Sequence, residues 1–213
     1  MAVQIDSTTI KSIIFDFDGV LCKDLFFSSL KDSHPQIFDY IERKIFKGSG
    51  DLIDHWMRNK VSSDDITRMI SEDNNIEFDL IKKIFENDVL NLKIDQKLLN
   101  FAREQSKLDR QVALVTNNMD IFSALILPRH KLDEVFKVIV NSADYSLLKT
   151  DKQGRLFDVV MEKIKTNDYS STLLIDDSLK VKPIFEAKGG HVFTYDNFDD
   201  FISWTEKILP DYF

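Results

Sequence analysis

Apolar residues in this chain fall into two patterns: short continuous runs, and stripes spaced three or four positions apart. Five runs read as strands: Ile10 to Phe15, Val112 to Val115, Val135 to Val140, Thr172 to Ile175 and His191 to Tyr195. Several are rich in Val and Ile and nearly unbroken, as strands covered on both faces should be. Between them lie helical stripes, including Ile121, Phe122, Leu125 and Ile126, and then Phe157, Val160, Met161 and Ile164. Strand alternating with helix predicts an α/β fold, a Rossmann-like parallel sheet flanked by helices.

From about Asp24 to Asn91 the alternation gives way to helical stripes alone. Ile37, Phe38, Ile41 and Ile45 share one face, and Leu52, Ile53, Trp56 and Met57 another. Ile66, Met69 and Ile70 make a third, and Phe78, Ile81, Ile84 and Phe85 a fourth. Such stripes each need a partner surface. Gly48 to Gly50 and Asn74 to Asn75 punctuate them, and Ser62 or Ser63 is placed to cap the third helix. The pattern predicts a core of residues 1–21 and 93–213 with a small helical domain, 22–92, inserted between the first two strands. One continuous domain with extra helices is the alternative.

Polar residues cluster where the runs end. Asp16 follows the first, Thr116 and Asn117 the second, Asn141 the third, Asp176 and Asp177 the fourth, and Asp196 the fifth. In an open parallel sheet, ligands bind outside the carboxyl ends of the strands. Several carboxylates gathered at one edge repel each other unless a cation or ligand balances them.

Composition narrows the class. With 43% hydrophobic and 30% charged residues among 213, the chain can bury a sizeable core without disulfides. Its single cysteine, Cys22, excludes an internal disulfide and a thiolate metal cluster, fits a reducing compartment, and reads as a buried small residue. A formal net charge of −8 works against nucleic acid and anionic membrane as partners. No apolar run approaches spanning length, and Met1 to Thr9 lacks the features of a secretory signal, so a cytoplasmic location is expected. The histidines (His34, His55, His130 and His191) lack metal-ligand spacing.

The sharpest chemical signal is Ile13-Ile14-Phe15-Asp16-Phe17-Asp18-Gly19-Val20-Leu21. Two carboxylates one residue apart, just past a buried strand, can share one cation and one substrate. Asp16 can attack phosphorus and split a difficult hydrolysis into formation and breakdown of an acyl phosphate. Asp18 can protonate the leaving oxygen and later deprotonate the attacking water. Gly19 permits a tight turn beside them.

This segment resembles the first motif of the haloacid dehalogenase-like (HAD) hydrolase superfamily, and the remaining motifs follow in order. Ala113-Leu114-Val115-Thr116-Asn117-Asn118 resembles the second, Leu147-Leu148-Lys149-Thr150-Asp151 the third, and Leu173-Leu174-Ile175-Asp176-Asp177-Ser178 the fourth. The resemblance implies that Thr116 binds the transferring phosphoryl group and that Lys149 neutralises nucleophile and phosphate; the amide of Asn117, where a helix is about to begin, adds a natural anion site beside Thr116. It implies further that Asp176 and Asp177, with Asp16 and Asp18, hold Mg2+. The family usually carries proline where Thr150 stands, which leaves Lys152 as an alternative to Lys149. The helical insertion resembles the superfamily's first cap class, a cap that closes over small phosphorylated metabolites.

The roles agree with elementary electrostatics. A phosphate dianion is repelled by bare carboxylates, and a divalent cation with oxygen ligands reverses that repulsion. The resemblance implies a Mg-dependent phosphatase. A phosphomutase related to β-phosphoglucomutase shares the same motifs, and a catalytically idle binding module is a further alternative. Dehalogenase chemistry uses the Asp nucleophile without a second Asp two residues on, so Asp18 argues against it.

Overall fold

The computed structural model describes residues 10–48 and 51–209. Residues 1–9, read above as free of a secretory signal, and 49–50, within the glycine punctuation, lie outside the described residues. Five strands, β1 (Ser12–Phe15), β2 (Gln111–Thr116), β3 (Val138–Asn141), β4 (Thr172–Asp176) and β5 (His191–Thr194), form one parallel sheet in the order β3-β2-β1-β4-β5. The register sets Phe15 beside Leu114 on one side and Ile175 on the other, so the central strands end at nearly the same level.

Each strand alternates its side chains between two apolar cores, as the pleat requires. Ile13 and Phe15 of β1 face one cluster with Val112, Leu114, Leu173 and Ile175. Ile14 faces the other with Ala113, Val115, Val140 and Leu174. Helix α9 (Arg155–Lys163) covers the second cluster with Leu156, Phe157, Val160 and Met161. On the first, α6 (Gln96–Lys107) contributes Leu98, Leu99 and Phe101, and α11 (Phe198–Ile208) contributes Phe201. The architecture is α/β with a Rossmann-like core.

Most strand ends fall within one or two residues of their apolar runs, and two departures are larger. The third strand begins at Val138 rather than Val135, because the amides of Val135 and Phe136 are tied to the carbonyl of Leu132 in a short turn. Its apolar residues are nonetheless buried, so burial there does not mark a strand. The stripe from Ile121 to Ile126 becomes a wide π turn, Phe122–Ile126, before α7 (Leu127–His130).

Between β1 and β2 the chain is helical: α1 (Leu30–Ser33), α2 (Pro35–Ile41), α3 (Leu52–Met57), α4 (Ser63–Asn74) and α5 (Phe78–Leu90). Ser62 caps α4 in a reciprocal box with Asp65. Asn75 ends it in the left-handed conformation. The chain leaves and re-enters the core side by side, with Cys22 bridged to Ile94 and the amide of Asp95 donating to the carbonyl of Leu21. Ile37, Ile41, Trp56, Ile66, Ile70, Ile81 and Phe85 belong to the same apolar cluster as Phe15 and Phe17. Phe27 stacks on Phe85 at 4.4 Å, so the stretch entering these helices is packed. Among the described residues, no helix is long and apolar enough to cross a membrane.

Candidate active site

Asp16 stands one residue beyond β1, its amide donating 2.9 Å to the carbonyl of Ile175. It is buried, and its Oδ1 accepts from the amide of Phe17 at 2.7 Å. The other oxygen, Oδ2, lies 2.6 Å from the Nζ of Lys149. That same Nζ is 2.7 Å from Oδ2 of Asp176, the last residue of β4. Lys149 is only 2% exposed, which a charged lysine tolerates only with its charge matched. Its backbone amide donates to Oδ1 of Asn117 at 2.8 Å, so the residue after β2 fixes the loop that carries it. Lys152, the alternative, is exposed on a short turn.

Asp18 is half-buried, and its Oδ2 accepts from Nδ2 of Asn118 at 2.9 Å. Gly19 follows with φ +76°, and a Cβ there would lie 2.1 Å from Oδ2 of Asp177. Only glycine allows the acid after β4 to come this close. Asp16, Asp176 and Asp177 each offer an oxygen within 4.8 Å of the others. The carboxylate of Asp18 is not in that close group, being engaged by Asn118. Oxygen donors so gathered suit Mg2+, which takes one or two carboxylates plus waters and phosphate oxygens. Thr116, fully buried at the end of β2, has a hydroxyl with no hydrogen-bond partner and lines neither part of the cleft above it, whereas the half-buried Asn117 beside it does.

These charges shift one another. Burial raises the pKa of Asp16 well above the carboxylate range, with Lys149 opposing and Asp176 adding to the rise. Burial likewise pushes Asp18 up to about 7, against the pull of Lys149 and with the charge of Asp177 assisting. Burial works to lower the pKa of Lys149, but the charges of Asp16 and Asp176 outweigh it and hold the ammonium above its ordinary range. Burial pushes the thiol of Cys22 up to about 12, which makes it a poor nucleophile.

A cleft opens over this cluster in two lobes. The inner lobe, about 470 Å³, is lined by Asp16, Asp18, Asn117, Lys149, Asp177 and the α3 residues Asp54 and Met57. The outer, about 750 Å³, shares Asp18, Gly19, Met57, Asn117 and Asp177 with it and reaches Tyr195 and Asp196 beyond β5. Asn141 is buried away from both lobes, its Nδ2 donating to the carbonyl of Met119.

Among the contacts that tie the helices between β1 and β2 to the sheet edge, two join side chains to carboxylates. Arg58 Nε and Nη2 donate to Asp151 at 3.0 and 2.8 Å, and Asp151 also accepts from the amide of Leu148. Asp120 accepts from the amide of Ser63 at the start of α4 and from Nε1 of Trp56. Neither pair carries a sequence signal, because the partners are 93 and 57 positions apart. Asn118 is a further residue that the sequence leaves without a role, although a second amide directly after Asn117 is itself a hint.

No family model matches the chain, and no curated protein matches it. Solved structures do. A predicted HAD-like family hydrolase from Porphyromonas gingivalis aligns at TM-score 0.72 and 18% identity, over 94% of this chain and 98% of that one. A HAD family enzyme from Bacteroides thetaiotaomicron, solved with magnesium and inorganic phosphate, aligns at TM-score 0.64 and 18% identity, over 87% and 93%. A dehalogenase aligns at TM-score 0.59 and 13% identity, over 86% and 84%. At these identities the likeness establishes a shared fold, that of HAD-like hydrolases.

Proposed function

We propose that this chain is a Mg-dependent phosphatase of the HAD-like superfamily, acting on a small phosphorylated metabolite through an aspartyl-phosphate. The observation that carries the reading is Lys149, buried with its ammonium between Asp16 and Asp176 at the rim of the sheet. Four carboxylates (Asp16, Asp18, Asp176 and Asp177) gather around that one buried ammonium, a surplus of negative charge that a divalent cation would balance. Asp16, Asp176 and Asp177 would hold Mg2+, which when bound supplies charge neutralisation and orientation of the phosphate. The magnesium and phosphate in the Bacteroides enzyme lend support, since its fold is shared.

In this reading a carboxylate oxygen of Asp16 attacks phosphorus and the bond to the leaving oxygen breaks. Asp18, whose pKa burial raises to about 7, gives its proton to that oxygen. Water then attacks the acyl phosphate, Asp18 takes the water's proton, and inorganic phosphate leaves with Asp16 restored. Lys149 neutralises nucleophile and phosphate. The amide of Asn117, which lines the inner lobe, and the unpartnered hydroxyl of Thr116, buried just behind it, receive the phosphoryl oxygens. Residues 22–92 act as the cap, with Asp54 and Met57 of α3 over the inner lobe.

The test is phosphate release from p-nitrophenyl phosphate and a panel of phosphorylated metabolites with Mg2+. Turnover that stops in excess EDTA and returns with Mg2+ is expected. Undiminished release without any divalent ion overturns the metal assignment, and no release from any ester overturns the phosphatase reading.

A further inference from the structure

The outer lobe differs in character from the inner one. Its walls are largely carbon: Phe26, Phe46, Ile53, Met57, Met119 and Tyr195. Leu25 adds an apolar rim and is 58% exposed. Among the described residues, some of the charged groups at the edge of the lobe have partners of their own. Lys23 Nζ donates to the carbonyl of Asp196 at 2.6 Å, Lys47 pairs with Glu42, and Asp24 accepts from the amide of Lys93 at 2.7 Å. The two lobes share Asp18, Gly19, Met57, Asn117 and Asp177, so the outer one is open to the ester substituent of a phosphate seated over Asp16.

We infer that the substrate's leaving group is a ring-sized or larger body, predominantly apolar, rather than a polyol. This rests on the phosphatase reading above and extends it. A lobe of about 750 Å³ falls within the range of small-molecule sites and far exceeds what a two- or three-carbon ester would fill. A sugar placed against this carbon wall would bury hydroxyls where the wall offers them no partner. Each hydroxyl left without a partner costs binding, whereas an apolar ring gains by leaving water. Discrimination by an apolar pocket against a hydroxylated analogue of the same shape is about a hundredfold at its upper end.

The experiment compares cyclohexylmethyl phosphate with glucose 6-phosphate, a carbocycle and a pyranose of matching ring size and ester linkage. Acetyl phosphate serves as the control for the chemistry, since its leaving group does not reach the outer lobe. With Mg2+, kcat/KM for the carbocyclic ester should exceed that for the sugar by about ten- to a hundredfold. Ile53→Asp should bring that ratio down at least severalfold, and so should Leu25→Asp, whose exposed position makes it safe for folding. A ratio of one or below, with acetyl phosphate hydrolysed, overturns this inference and leaves the phosphatase reading intact. A ratio unmoved in both variants overturns the assignment of the outer lobe. No release from acetyl phosphate or either ester overturns the phosphatase reading and this inference together.

Discussion

The guanidinium of Arg58 forks onto the carboxylate of Asp151, joining the helices between the first two strands to the loop that carries Lys149. A bidentate charge-assisted pair fixes orientation as well as distance. Asp151 is also held by the amide of Leu148, so the grip of Arg58 passes directly to the residue before Lys149. Arg58→Ala should lower kcat more than it raises KM, because it loosens the ammonium without removing it. Arg58→Lys should recover little, since lysine lacks the fork. Steady-state kinetics of the two variants check this, and equal kcat in all three proteins would show that the tie is not used.

The same pair sets a pH dependence of stability. The hydrogen bond from Arg58, helped by the amide of Leu148, lowers the pKa of Asp151 below its ordinary value. A depressed carboxyl stabilises the fold at pH above its unfolded value, about 4, and that contribution fades as pH falls through the folded value. Urea unfolding of the wild type and of Asp151→Asn should therefore differ most above about pH 5 and converge in more acidic solution. A gap that widens toward low pH contradicts the assignment.

Lys149 offers a double-variant test. Lys149→Met leaves Asp16 and Asp176 buried without their shared cation, and removing one partner of a buried ion pair costs about 3–5 kcal/mol. Adding Asp16→Asn removes one of the two charges and should restore part of that loss, a positive coupling between contacting sites. Denaturant midpoints in the absence of Mg2+ give all four corners of the cycle. Additive losses would mean that the ammonium does not act on Asp16.

How much of this was legible in the sequence depends on the distance over which the signal operates. The five strands show because a strand buried on both faces must be nearly all apolar, and that requirement is local. The rim residues Asp16, Thr116, Asn117, Asp176 and Asp177 show for the same reason, as polar residues ending apolar runs. That Lys149 rather than Lys152 enters the site depends on a loop closed by Asn117 and Asp151, and both contacts exist only after folding. Asn118 on Asp18 and Asp120 on Ser63 are likewise tertiary facts. The third strand starts three residues after its apolar run begins, because Val135 and Phe136 are apolar for packing while their amides serve a turn.

The two acids of the first motif should separate by leaving group. Asp16→Asn should abolish phosphate release from every ester while thermal unfolding stays cooperative, because the shape is kept and the nucleophile lost. Asp18→Asn should slow alkyl esters by about 10²–10⁴-fold, the usual worth of a positioned acid–base group. The loss should be smaller with p-nitrophenyl phosphate, whose leaving oxygen needs no proton. Equal losses on the two ester classes would remove Asp18 from the role of proton donor.

Gly19 places the most specific demand on the site. Its φ of +76° disfavours any side chain, and an added Cβ would lie 2.1 Å from Oδ2 of Asp177. In Gly19→Ala the carboxylate of Asp177 must swing away or the turn must open, and either separates it from Asp16 and Asp176. The backbone term alone costs about 1–2 kcal/mol. Disturbing the support of a ligand typically weakens metal binding about 10–100-fold. Titrating phosphate release with Mg2+ should show half-saturation displaced upward by that factor, with much of kcat recovered at saturating metal. Loss of stability with an unchanged Mg2+ requirement would mean that Asp177 takes no part in holding the ion and that Gly19 serves only the turn.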